Sequence, residues 1–519
     1  MNKNESNLIS NDLNLMVRLK STLMLKITIL KNRFIMLLYL ALILGSCKTE
    51  QKPNILFIAI DDLNDWAGCL NHHPNVQTPN IDLLASQGIL FTNAHCQAPL
   101  CGPSRTSVMT GLLPSSTGIY QHISDEEIQG SSEFAQKSIF LPKYFEQNGY
   151  KTMGVGKLFH LGDRANSFQE FGGEFEKFGP FPEKRLKYDP IWFNKPKGTV
   201  TDWGAFPESD ELMPDYKIAN WAIEKLKHDH EKPFFLGVGF IRPHVPWYVP
   251  KKWFDIFNID SIQTPPYLPS DMDDIPEIGV AVAEVPMMPT TEWMIEVGEW
   301  KEAVRAYLAC MAFTDHYVGE VLKALEKSEY ANNTIVVLWS DHGYHLGEKN
   351  RFAKHSLWQK STQVPLIFAG KGIPKNKSSN APVGLIDMYP TLAELCGFSA
   401  PNVDGHSLVP LIENQNTQWK HAAITTYGEN NHSVYFKGFH YIQYEDGSEE
   451  LYNSQDDPNE WYNIASKREF LELKKQLIQH LPLVNRPQVG ESVSRVNSYF
   501  RAKDDQKGKR KNDGLKNKF

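Results

Sequence analysis

The chain has 519 residues, 41% apolar and 22% charged, a composition that folds and a length that suggests one large domain plus a smaller one. Its formal net charge of −7 excludes nucleic acid as a general partner, since nothing in the total would neutralise a phosphate backbone. Any grip on an anionic substrate must therefore come from a local cluster of cations.

Residues 1–46 read as a lipoprotein export signal. Lys31 and Arg33 precede an apolar run over 34–44 that is too short to span a bilayer as a permanent helix. The run ends in Leu44-Gly45-Ser46-Cys47, which resembles a bacterial lipobox with Cys47 as the lipidated residue. A plain signal peptide or a short anchor is the alternative, and the long polar lead leaves Met24 and Met36 as alternative starts. Lipidation would hold the exported protein at a membrane, in the bacterial periplasm or at the cell surface. The remaining Cys69, Cys96, Cys101, Cys310 and Cys396 are odd in number and irregular in spacing, so no disulfide framework is expected.

A polar linker over 47–52 leads to a continuous apolar run over 53–60, a strand buried on both faces, which ends in Asp61-Asp62. Three further runs follow the same plan. Residues 150–155 are followed by Gly156, Lys157 and His160; residues 233–240 by Arg242-Pro243-His244; residues 334–340 by Asp341-His342-Gly343. Helical patterns over 80–86, 141–148, 215–228 and 301–327 lie between, and strands alternating with helices predict an α/β domain with a mostly parallel central sheet flanked by helices. A strand over 364–369 and a helix over 387–395 close this catalytic domain, assigned to 53–417. Short aromatic-rich strands over 421–427, 433–436, 439–444 and 450–452, then a helix over 467–480, predict a smaller C-terminal subdomain over 418–495 with an antiparallel sheet. The Lys-rich tail, 496–519, has little to bury and is expected to be disordered.

Ligands of open α/β sheets bind beyond the carboxyl ends of the strands, where four of these strands deliver acids, bases or cations. Asp61, Asp62 and Asp341 are hard oxygen ligands suited to Ca²⁺ or Mg²⁺ rather than Zn²⁺, with His342 a further ligand or a neighbour of one. Lys157, Lys354 and Arg105 supply cations, and His160 and His244 supply proton transfer near neutral pH. This is the inventory of a hydrolase of tetrahedral oxyanion esters, with sulfate and phosphate both open. Cys101-Gly102-Pro103-Ser104-Arg105 places a reactive residue at a turn where a helix can start, with Ser104 and Thr106 suited to the capping region. Taken alone, the grouping reads first as a buried structural cysteine beside a turn, and only the rest of the chain overturns that reading.

The pattern Cys101-x-Pro103-x-Arg105 resembles the signature of type I sulfatases, in which the cysteine is converted to formylglycine. Asp61-Asp62, Pro79-Asn80-Ile81-Asp82, Ser340-Asp341-His342-Gly343 and, near the end, Leu451-Tyr452 with Asp457-Pro458-Asn459-Glu460 agree with it. Within that family the chain most resembles the iduronate-2-sulfatase group, through Gly156-Lys157-Leu158-Phe159-His160, Pro243-His244-Val245-Pro246 and Leu346-Gly347-Glu348 leading to Ala353-Lys354. The resemblance spans residues 53–465 and implies an alkaline-phosphatase-like fold. It implies Ca²⁺, rather than Mg²⁺, on Asp61, Asp62, Asp341, His342 and the modified Cys101. Lys157 and Arg105 would hold the formylglycine, His160 would assist loss of sulfate, and His244 and Lys354 would bind the sulfate, with His244 the proton donor to the leaving alcohol. Lys157 is also placed among the substrate contacts. The implied partners are a sulfated oligosaccharide or polysaccharide, with a 2-O-sulfated uronic acid as the nearest class, and a formylglycine-generating enzyme. The competing readings are a phosphomonoester or phosphodiester hydrolase on the same sheet and a non-catalytic lipoprotein that binds sulfated glycans. Loops over 162–215 and 256–300 are expected to shape the pocket.

Overall fold

The computed structural model describes residues 3–45, 51–160, 166–175, 178–188, 199–490 and 497–505. Residues 1–51 and 52–519 are separate units. In the first, Lys3–Gly45 is one helix. None of the described helices is long and apolar enough to cross a membrane. Cys47 and most of the expected linker lie outside the described residues.

In the second unit the strands are, in chain order, β1 (Asn54–Ile60), β2 (Gly88–His95), β3 (Lys151–Gly156), β4 (Glu170–Phe171), β5 (Trp203–Ala205), β6 (Phe234–Phe240), β7 (Trp247–Val249), β8 (Thr334–Ser340), β9 (Gln363–Gly370), β10 (Lys377–Ser379) and β11 (Val383–Gly384). Among the described residues nine of them form one sheet in the order β10-β2-β9-β8-β1-β6-β3-β4, with β11 also on β2. All pairs are parallel except β8–β9 and β2–β9, so β9 alone runs against the rest. A separate ribbon pairs β5 with β7.

The continuous apolar runs reflect a sheet covered on both faces. Along β1, Leu56, Ile58 and Ile60 join one core and Ile55, Phe57 and Ala59 the other, as alternation across a strand requires. The first core takes its helical side from Pro214–Lys227 and the 28-residue helix Trp300–Lys327. The second takes it from Leu141–Gln147, Met388–Leu395 and Cys101–Thr110. At the carboxyl ends of β3 and β6 two glycines oppose one another. A Cβ on Gly239 would stand 2.3 Å from the backbone of Lys157, and Gly156 has φ +75°, so only glycine lets the chain turn tightly enough to bring Lys157 back over the strand ends.

The four-stranded meander β12 (Ala423–Thr426), β13 (His432–Phe436), β14 (Phe439–Gln443) and β15 (Glu449–Asn453) is antiparallel, as expected, and is followed by the helix Leu471–Ile478. It is pinned to the larger sheet through His95, whose ring stacks on Tyr435 at 3.7 Å, and through a core that joins Tyr427, Ile442 and Tyr452 to Leu100 and Trp358. The expectation of a disordered tail fails over the part that is described, while 506–519 lie outside the described residues. Residues 498–505 of the tail are helical, and Phe500 is buried against Tyr427, with Asn497 Nδ2 donating to the Val282 carbonyl at 2.7 Å. A single large aromatic with a pocket to fill outweighed the polar composition around it.

Candidate active site

The carboxyl ends of β8, β1, β6 and β3 are adjacent in the sheet, and they carry Asp341-His342, Asp61-Asp62, His244 and Lys157 respectively. The 341–362 segment joins β8 to its neighbour β9 and brings Lys354 back over the same edge. Cys101 arrives from the far side of β9, on the first turn of the helix that follows β2. Residues hundreds of positions apart thus meet because their strands are neighbours.

Asp62 sits in a left-handed turn, φ 63°, an unusual conformation for a residue other than glycine. Tyr307, from the long helix, holds it there: its hydroxyl donates to the Asp62 carbonyl at 2.7 Å and accepts from the Asn64 amide at 2.9 Å. The turn aims both carboxylates at Asp341, whose Oδ1 accepts from the Asp62 amide at 3.2 Å. Arg105, fully buried, donates through Nε to Asp341 Oδ2 at 2.8 Å, lies 3.5 Å from Asp61 Oδ1 and donates to the Lys157 carbonyl. Lys157 pairs with Asp61, and Lys354 donates to Asp62 Oδ1 at 2.7 Å and to Cys101 Sγ at 3.0 Å. His342 Nε2 lies 3.1 Å from Cys101 Sγ and 3.3 Å from Asp62 Oδ1. His244 Nε2 lies 3.9 Å from Asp62 Oδ2, its ring stacked on Phe178 at 4.7 Å. His160 stacks at 3.8 Å on His122, whose Nδ1 accepts from the Gly102 amide.

The electrostatics follow from burial and from these pairs. Burial pushes the Cys101 thiol up, but Lys157, Lys354 and His342 outweigh it and hold the thiol well below its ordinary value. Burial likewise pushes Asp61 up and the Cys101 charge adds to it, yet Lys157, His244 and Arg105 hold it below the usual carboxylate range. For Asp341 burial wins over Arg105 and the carboxyl is pushed up to about 7. Burial would lower His342, but Asp341 raises it to about 9.

Two buried carboxylate oxygens, Asp61 Oδ1 and Asp62 Oδ2, have no hydrogen-bond partner. Such oxygens are rare because their desolvation goes uncompensated, and a hard cation relieves it. Asp61, Cys101, Asp341 and His342 each place one ligand atom within 4.8 Å of all the others, and so do Asp61, Asp62, Cys101 and His244. The Nδ1 of His342 lies 3.0 Å from the Gly343 carbonyl, which leaves Nε2 facing the cluster, the arrangement that orients a ligating imidazole. The donor set fits one hard divalent cation.

The ten candidate site residues, Asp61, Asp62, Cys101, Arg105, Lys157, His160, His244, Asp341, His342 and Lys354, therefore lie together at one crevice. The capping expectation fails: Leu100 is the N-cap without a side-chain bond, and Ser104 is instead spent on tertiary structure, its hydroxyl donating to the Asp341 carbonyl at 2.5 Å. Tyr344 and His345, which follow the Asp341-His342-Gly343 end of β8, are fully buried and bonded to the Phe352 carbonyl and the Ser356 hydroxyl. Sequence reasoning missed Tyr307, His122 and Phe178, none of which stands in a motif. Parts of the expected pocket loop, 161–165, 176–177 and 189–198, lie outside the described residues.

This sheet and crevice are matched by a family model described as Sulfatase over residues 53–398, and one described as N-sulphoglucosamine sulphohydrolase, C-terminal, matches 347–486. The chain belongs to the sulfatase family, hydrolases of sulfate esters, and its fold is the alkaline-phosphatase-like one expected. A sulfatase of Formosa agariphila is 50% identical to it, over 91% of this chain and 96% of that one. Human iduronate 2-sulfatase is 30% identical, over 70% of this chain and 74% of that protein. A solved structure in complex with its substrate D-glucosamine-2-N,6-O-disulfate shares the fold with a TM-score of 0.64 at 24% identity, covering 83% of this chain and 96% of that one.

Proposed function

We propose that this sulfatase removes O-sulfate from a sulfated carbohydrate, of the 2-O-sulfated uronic acid class, with a formylglycine made from Cys101 by a formylglycine-generating enzyme and with one bound Ca²⁺. The observation that carries the reading is the meeting of Asp61, Asp62, Asp341, His342 and three buried cations around Cys101. The 30% identity to human iduronate 2-sulfatase supports the substrate class.

When bound, the cation would polarise a sulfate oxygen, and the hydrate of the residue-101 aldehyde would supply one hydroxyl to attack sulfur and a second whose deprotonation expels sulfate and restores the aldehyde. Asp61, Asp62, Asp341 and His342 would hold the cation. Lys354 and His244 would bind the sulfate, Lys354 from its position 3.0 Å from Cys101 Sγ. The Nδ1 of His244 lies 2.6 Å from the Val245 carbonyl, which leaves Nε2 as the atom that carries a proton to the leaving alcohol. Lys157 and Arg105 would balance the charge of the cluster and fix residue 101, with the amides of the first turn of Cys101–Thr110 adding to the stabilisation of developing negative charge. His160, beside residue 101, would assist release of sulfate. Because nearly every one of these groups is withdrawn from solvent, their charges act at close range in a water-poor site.

Protein made alongside a sulfatase-maturing enzyme is expected to carry an aldehyde at residue 101 by mass spectrometry, and to turn over an aryl sulfate far faster than the aryl phosphate. Chelation should lower that activity by about 100-fold or more, and Ca²⁺ should restore it. An intact thiol at residue 101 together with faster phosphate turnover would overturn the reading. We further propose that the protein is an exported bacterial lipoprotein held at a membrane through Cys47, on the strength of the Leu44-Gly45-Ser46-Cys47 pattern. Cys47→Ala should then move it from the membrane fraction to the soluble one, and retention in the membrane pellet would count against the anchor.

A further inference from the structure

Most of the buried cations of this fold sit against a carboxylate: Arg105 on Asp341, Lys157 on Asp61, Lys354 on Asp62 and Lys349 on Asp271. Arg242 has no carboxylate at ion-pair distance among the described residues, but each of its three nitrogens donates to a backbone carbonyl, at 3.1 to 3.3 Å. Arg351 is different. It is only 9% exposed, its Nη2 donates to the carbonyls of Lys354 at 2.6 Å and His355 at 3.4 Å, and its Nε is buried with no hydrogen-bond partner. No carboxylate among the described residues pairs with it; its surroundings are the Trp358 ring at 5.6 Å and the hydroxyl-bearing Tyr427, Tyr344 and Tyr444. A guanidinium stays charged under these conditions, and a buried charge without a counter-charge is costly. The aromatic face of Trp358 offsets only part of that.

Arg351 also lines a cavity of about 550 Å³ together with Val285, Met288, Thr290 and Ala353. The other cation on the wall, Lys349, is already engaged by Asp271 at 2.6 Å and by the Glu460 carbonyl. The acidic residue on the wall, Glu284, is exposed. Ala353 directly precedes Lys354, so the cavity wall and the group that touches Cys101 are consecutive residues.

We propose that Arg351 binds a second oxyanion of the substrate, the carboxylate of a uronic acid or a further sulfate group, while the sulfate to be cleaved lies at Lys354. The inference rests on the sulfated-carbohydrate reading above and deepens it: the preferred substrate carries two anionic groups, and the guanidinium fork reads the one that is kept.

The test is calorimetric titration of the Cys101→Ala protein with three ligands: a 2-O-sulfated uronic-acid disaccharide, its carboxyl-reduced counterpart, and the same reduced disaccharide bearing one more sulfate. Turnover of an aryl sulfate by the unaltered protein reports separately on the sulfatase reading. Loss of the carboxylate is expected to weaken binding by about 10- to 100-fold, and Arg351→Gln should bind the acid and its reduced form alike. If only the extra sulfate strengthens binding, and does so only with Arg351 present, the kept oxyanion is a sulfate. Equal weakening of all three ligands by Arg351→Gln would mean that the residue merely steadies Lys354 and would overturn the proposal. So would a preference that survives the substitution. Should Arg351→Gln not fold, Arg351→Lys, which keeps the charge and loses the fork, takes its place. The comparison of the three ligands on the Arg351 protein needs no variant at this position, and equal affinities there would also overturn it.

Discussion

Replacement of Cys101 by alanine is expected to lower kcat/KM for an aryl sulfate by about 100,000-fold or more, while the fold survives. The size follows from the residue's place. Removing a nucleophile that acts as a unit with its neighbours costs nearly all of the rate those neighbours supply, leaving what binding and charge stabilisation contribute alone. Cys101 is the point on which Lys354 and His342 converge, at 3.0 and 3.1 Å, and Lys157 acts on it electrostatically. The truncation removes one small buried atom whose cation neighbours keep their carboxylates, Lys354 on Asp62 and Lys157 on Asp61, so stability should fall by only about 1–2 kcal/mol. Steady-state kinetics with circular dichroism and a denaturant titration would check both halves. Activity within tenfold of the parent would remove Cys101 from the reacting centre.

Arg105→Ala carries the largest expected stability effect, about 3–5 kcal/mol, because it strands a buried carboxylate. Asp341 would lose its 2.8 Å partner, Asp61 would lose a neighbouring charge, and the carbonyl of Lys157 would lose its donor. With these, the wall that holds Lys157 over Asp61 loosens and activity should fall together with stability. Arg105→Lys restores one charge but not the fork that reaches Asp341, Asp61 and a carbonyl together, and should recover only part of the loss. A shift in the urea midpoint equivalent to less than 1 kcal/mol for the alanine variant would show that the cluster is held without the guanidinium.

Much of this site was legible in the sequence because parallel strands buried on both faces are written as unbroken apolar runs, and because the polar residue that ends such a run lies at the ligand-binding edge. β1, β3, β6 and β8 are of this kind. β2 is not: its register shifts between Phe91 and Ala94, and Thr92 and Asn93 interrupt the pattern. Strands of two or three residues such as β4, β10 and β11 carry too few positions to show a period. Ser104 was misread because the sequence advertises a hydroxyl near a helix start without saying that a carbonyl of Asp341 will be waiting for it. Tyr307 and Arg351 were invisible for a related reason. The first looks like one apolar position in a long helix, and the second like a loop arginine in solvent; only the packing of distant segments makes one a brace and the other a buried cation.

The reversed direction of β9 gives the molecule a front and a back. The chain enters β1 at Lys52, whose carbonyl accepts from Asn333 at the foot of β8, and β9 ends beside it, where the Lys371 amide reaches the Thr334 carbonyl. Both points lie at the amino ends of β1 and β8, a full strand length from the crevice. A tether joined upstream of Lys52, or a peptide spliced into the turn over 371–376, would hold the protein from behind and leave the mouth of the crevice clear.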